Sequence, residues 1–130
     1  MKANELRIGN LVNYGVNIVP IKSIHTESVL KNEVRVYVEL NEKLQNYCLD
    51  ITEIEPIPLT EERLLKFGFE LDIEDDGYQK GKYKVSVSDE GCLFFINIGY
   101  YPEEIAEFKY VHQLQNLYFA LTGGELVVKE

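Results

Sequence analysis

Cys48, Cys92, His25 and His112 are the residues of this chain whose side chains best suit nucleophilic or soft-metal chemistry. A structural zinc site takes about four such ligands, usually in closely spaced pairs. Here they are scattered, with no C-x-x-C and no H-x-x-x-H, so neither a metal nor another cofactor is expected. A Cys–His nucleophilic pair is combinatorially open but has no local signature. The chain also contains no G-x-S-x-G, no Walker loop and no G-x-G-x-x-G. Asp72, Glu74, Asp75 and Asp76 form the densest acidic group, ahead of Gly77. The group lacks the spacing and the closing Glu of a calcium loop, and it reads as a solvated turn. Both cysteines sit among apolar residues, in Tyr47-Cys48-Leu49 and Gly91-Cys92-Leu93-Phe94. They are expected to be reduced and largely buried.

The chain of 130 residues is 45% hydrophobic and 27% charged, the balance of an ordinary globular protein. It carries 22 acidic and 13 basic residues, net -9. Phosphate backbones are held by concentrated Lys and Arg, so this charge disfavours nucleic acid as a partner. The excess of acid runs through both halves: residues 1–58 are net -2 and the remainder net -7. Met1 to Asn10 has no apolar core of the signal-peptide kind, and no run approaches the ~18 apolar residues of a membrane span. A cytoplasmic setting with no membrane partner is expected.

The elements that would position any site fall into two sets. In the first half, strand signals recur from Arg7 to Ile57. Leu11-Val12-Asn13-Tyr14 precedes Gly15, and an apolar, β-branched run follows over Ile18 to Ile24. Pro20 within that run cannot donate to a ladder and predicts an edge or a bulge. Val34, Val36, Val38 and Leu40 alternate strictly with Arg35, Tyr37 and Glu39, the clearest strand of the chain. A short strand over Gln45 to Leu49, one helical turn near Ile51, and a last strand over Glu53 to Ile57 complete the set. Five short strands predict a small SH3-like β-barrel over residues 1–58, because closure covers the sheet edges. An open meander is the alternative.

The second half predicts an antiparallel sheet with two helices, an α+β domain over residues 59–130 that packs against the barrel. Thr60 is an N-cap ahead of Glu61 and Glu62, and Gly68 suits the left-handed position that ends a helix. Tyr83 to Val87 and Cys92 to Ile98 read as a hairpin about Ser88 to Gly91, with Tyr83, Val85 and Val87 inward. Lys80, Lys82 and Lys84 share the outward parity, read as charges guarding an edge strand. Tyr100-Tyr101-Pro102 reads as a loop and Ile105 to Tyr110 as a strand. The last helix runs from about Tyr110 to Leu121, with Val111, Leu114, Leu117, Tyr118 and Leu121 on its core stripe. His112, Gln115, Asn116 and Phe119 form a second, mixed face, expected to be covered by the barrel or by a second copy. A final strand is expected over Glu125 to Val128.

Three blocks carry a resemblance: residues 1–12 (Met-Lys-Ala-Asn-Glu-Leu-Arg-Ile-Gly-Asn-Leu-Val), residues 54–69 (Ile-Glu-Pro-Ile-Pro-Leu-Thr-Glu-Glu-Arg-Leu-Leu-Lys-Phe-Gly-Phe) and residues 110–126 (Tyr-Val-His-Gln-Leu-Gln-Asn-Leu-Tyr-Phe-Ala-Leu-Thr-Gly-Gly-Glu-Leu). In this order they resemble the short uncharacterised proteins common in Bacteroidetes genomes, prophages and phages. That group has no established activity, so the resemblance implies a cytoplasmic, mobile-element or phage setting and no site residue.

The expected function is therefore a non-enzymatic protein-interaction module, a phage or prophage accessory protein that binds a host protein as a monomer or weak homodimer. The alternatives are a small hydrolase using His25 or His112, and a small barrel that binds nucleic acid. Tyr37, opposite in parity to the valines of its strand, and Tyr100 and Tyr101, beside Pro102, are the candidate binding residues. Tyrosines offer much contact area at little entropic cost.

Overall fold

The computed structural model describes residues 5–27, 33–40, 45–72, 77–98 and 101–128. The chain is α+β, with two antiparallel sheets and two helices, and it divides into two compact units. One unit comprises Met1–Ile57 with Val111–Leu117, and the other Pro58–Tyr110 with Tyr118–Glu130.

In the first unit, β1 (Leu11–Tyr14), β2 (Asn17–Glu27), β3 (Glu33–Leu40) and β4 (Gln45–Asp50) pair in that order. The first hairpin sets Val12 opposite Val19, which puts both on one face. That face builds a core of Leu6, Val12, Val19, Ile21 and Ile54. Pro20 lies beside the break in register between Ile21 and Ser23, where a missing N–H costs no ladder bond. A 3₁₀ turn over Ile51–Glu53 returns the chain to β1. There Asn13 and Glu55 exchange two backbone bonds, of 2.8 and 2.9 Å.

The SH3-like barrel expected over residues 1–58 is not shown closed: no ladder joins β4 to β1 among the described residues. Nor does the last segment become a full strand; it contributes the single Asn13–Glu55 bridge. Pro56 and Pro58 flank Ile57, and two missing donors in three residues cannot sustain a ladder.

In the second unit, α1 (Glu61–Lys66) starts at Thr60, whose hydroxyl accepts from Arg63 N at 3.3 Å. It ends through Gly68 at φ 89°, a left-handed conformation that costs glycine least. The Phe69 amide then bonds back to Leu64 at 3.0 Å. Next come β5 (Glu70–Asp72), β6 (Gly77–Lys80), β7 (Tyr83–Ser88), β8 (Gly91–Ile98) and β9 (Tyr101–Phe108), in that order across one sheet. Its buried face carries Tyr83, Val85, Cys92, Phe94 and Phe108, and the helix α1 contributes Leu64. Phe94 meets Tyr83 and Phe108 ring to ring, at 5.7 and 6.4 Å between centroids. The final helix, α2, spans Val111–Thr122, and the expected strand over Glu125 to Val128 is not formed among the described residues.

Two expectations are corrected here. Lys84 does not guard an edge: β7 is the middle strand of five, and Lys84 is buried. Its aliphatic stem passes so close to Gly77 that a β-carbon there would stand 2.5 Å from Lys84 Cε. And Tyr101-Pro102 belongs to β9 rather than to a loop, since Asn97 opposes Pro102 and Ile98 opposes Tyr101 in register.

Candidate functional site

The densest buried polar constellation among the described residues lies in the first unit, where Arg7 and Asn10 meet Gln115 and Asn116. The segment Glu5–Leu11 leads into β1, and Val111–Leu117 is the helical part of the same unit. Asn10 is completely buried, a costly place for a primary amide unless each polar atom has a partner. Its Oδ1 accepts from Arg7 N at 2.7 Å, and its Nδ2 donates to Asn116 Oδ1 at 2.8 Å. The same Asn116 oxygen accepts from Arg7 Nε at 3.1 Å, and Asn116 Nδ2 donates to the Glu5 carbonyl at 2.8 Å. Gln115 completes the arrangement. It accepts from Leu11 N at 2.8 Å and donates to Gly9 O at 3.2 Å.

His112 stands one helical turn before Gln115 and Asn116 and is completely buried. Its Nε2 lies 3.5 Å from Glu5 Oε2. Burial pushes its pKa below the ordinary histidine value, partly offset by the Glu5 carboxylate. The favoured form is therefore the neutral imidazole.

Chemically, the constellation is a fastener. Each amide is engaged by backbone or by another side chain of this chain, and amides neither titrate nor attack. Among the described residues no group of three His, Cys, Asp or Glu is placed to hold a metal ion. The Cys92 thiol is free and buried in the second unit, and burial raises its pKa, which disfavours the reactive thiolate.

The structure places the sequence-derived candidates as follows. Tyr37 lies on β3 opposite Cys48 on β4 in register, and Tyr101 opens β9. The side chains of Tyr37, Cys48, His25 and Tyr101 lie outside the described part of the structure, as does Tyr100 altogether. The mixed face of α2 divides: His112 and Gln115 are buried and Asn116 is half-buried within the first unit, whereas Phe119 is 38% exposed. On the expected core stripe Val111 and Leu114 are buried, but Leu121 is 41% exposed. The partners of the helical amides, Arg7 and Asn10, were not singled out by sequence. The available signal was His112, Gln115 and Asn116 at helical spacing on one face of the helix.

No helix among the described residues is long and apolar enough to cross a membrane. Comparison with protein-family models, with curated proteins and with solved structures finds no match to this chain.

Proposed function

We propose that this chain is a non-enzymatic protein-interaction module, a cytoplasmic accessory protein of phage or prophage type that binds a host protein. One observation carries the reading: the amides of Asn10, Gln115 and Asn116 are engaged by the chain's own backbone and by one another, which makes this polar cluster a fastener of the fold. The phage setting rests on the resemblance of the three sequence blocks. We read residues 1–58 as a small SH3-like barrel. The succession of Glu55 beside β1, then β2, β3 and β4, with a 3₁₀ turn just before Glu55, supports that reading. Tyr37, Tyr100 and Tyr101 are the proposed contact residues, and the chain acts as a monomer or weak homodimer. Nucleic acid is disfavoured by a net charge of -9.

The test is affinity capture of host proteins on the immobilised full chain, followed by titration of the captured protein with Tyr37→Ala and Tyr101→Ala variants. A single saturable partner, weakened about tenfold or more by either variant, is the expected result for residues at the centre of an interface. Salt-dependent retention of DNA in place of protein, or turnover of a hydrolase substrate abolished by His112→Gln, would overturn the reading.

A further inference from the structure

The two edges of the five-stranded sheet differ. At β9 the edge carries three devices that discourage further pairing. Pro102 lacks an N–H, Ile105 is an extra residue between the Glu104–Phe95 and Ala106–Phe94 pairs, and Glu103, Glu104 and Glu107 are exposed. The β5 edge has no proline and no bulge among its described pairs, and at its centre is an apolar side chain, Leu71, 57% exposed.

Leu71 is not isolated. It stands directly opposite Tyr78 in the ladder. Burial and the nearby Glu61 carboxylate, at the start of α1, raise the pKa of the Tyr78 phenol. Leu65 follows Glu61 by four residues, on the same side of the helix, and is 52% exposed. Lys80, two residues beyond Tyr78, donates from Nζ to Phe67 O at 2.8 Å, which ties the end of α1 to the same strand. One exposed leucine thus stands on the edge strand and one on the helix that leads into it. Glu70 is exposed and Asp72 closes the strand, both on the side of β5 opposite Leu71, whereas Glu62 on α1 is paired with Lys66 at 3.7 Å.

We propose that the β5 edge, with Leu65 and Leu71, docks an extended segment of another protein in which basic and apolar side chains alternate. The inference rests on the reading of the chain as a protein-interaction module and names the surface and the partner chemistry. Added strands bind through main-chain bonds, with alternate side chains taking the pockets. Three residues supply few such bonds, so the leucines must anchor the segment and the acidic rim select its charge. A second copy of this chain is the wrong occupant. Antiparallel self-pairing centred on Leu71 sets Glu70 of one copy opposite Asp72 of the other, twice, and like charges directly opposite destabilise a ladder.

The probe is a fluorescent peptide alternating Lys and Val, titrated against the full chain by anisotropy at low salt. Controls are its Glu–Val counterpart, a block peptide of the same composition, and a copy N-methylated at alternate amides. The Lys–Val peptide should bind, the three controls should not, and Leu71→Asp and Leu65→Asp should each weaken binding about tenfold or more. Ile105→Asp, at a side chain 40% exposed on the opposite edge strand β9, should leave it unchanged. Both leucines are exposed, so circular dichroism and the melting midpoint of their variants should match the parent. Equal binding of the block or N-methylated peptide, or indifference to Leu71→Asp, overturns the proposal. If a captured host protein is lost with Tyr37→Ala or Tyr101→Ala but not with Leu71→Asp, the module reading stands and this surface falls.

Discussion

Asn10 and Asn116 are 106 positions apart in sequence, and their side-chain amides meet at 2.8 Å. Each holds the other's environment together: Asn10 turns the chain into β1, and Asn116 gathers Asn10, Arg7 and the Glu5 carbonyl onto the helix. Asn116→Ala should therefore cost on the order of 2 kcal/mol, chiefly because it leaves the buried Asn10 donor unpaired. The double variant Asn10→Ala/Asn116→Ala should cost clearly less than the sum of the singles. Urea denaturation of the four proteins measures both; strict additivity would show that the two amides act separately.

The pH dependence of stability follows from His112. Its folded pKa lies below 6.5, its ordinary and unfolded value, so in the interval between them the unfolded chain binds more protons. Stability contributed by this group is full above 6.5 and falls as pH drops through that interval. His112→Gln removes the titration. The difference in melting midpoint between variant and parent should be flat above neutral pH and shift in the variant's favour as pH falls toward 5. A difference independent of pH would mean that the imidazole has the same pKa in the folded and unfolded chain.

Exposure along α2 predicts an asymmetry in substitution cost. Leu114 is fully buried, and Leu114→Ala should cost about 2–5 kcal/mol. Phe119 is 38% exposed, and Phe119→Ala should stay within about 1 kcal/mol. Chemical denaturation midpoints decide. Equal losses at the two sites would mean that the outer side of the helix is covered in solution by another copy.

Cys92 is 4% exposed and its thiol pKa is raised by burial. In a Cys48→Ser background, Ellman's reagent should react with it at the rate of unfolding, and promptly in denaturant. Stoichiometric labelling of the native protein within seconds would contradict the burial of the β8 face.

The N-cap of α1 offers a local test. Thr60→Ala removes the acceptor for Arg63 N and should cost about 1 kcal/mol, whereas Thr60→Ser should be close to neutral. A Thr60→Ala midpoint equal to that of the parent would show that packing alone starts this helix.

Several of these features were legible in the residues themselves. The alternation through Val34 to Leu40 gives β3, Thr60 and Gly68 bracket α1, and the hairpin through Tyr83 to Ile98 follows from its parity and its Ser88–Gly91 turn. Each signal is local, confined to one strand, one cap or one turn. The burial of Lys84 was not legible in this way, because the sequence shows the parity of a strand and not its rank in the sheet. Nor was the strand at Tyr101: Pro102 is a loop signal by itself and becomes acceptable only because β9 is the last strand.

The sequence by itself determined the class of the chain, most of its elements, and its acidic, motif-poor character, since propensity, parity and charge belong to short stretches. Only the tertiary structure decided what those elements serve. It engaged Gln115 and Asn116 with a segment more than a hundred positions away, held Glu55 to a single bridge where two prolines stop a fifth strand, and exposed Leu71 on the first strand of the second sheet. These outcomes depend on which distant surfaces meet. A hydrogen-bonding amide or an apolar side chain has the same local signature whether its partner is water, backbone or another protein.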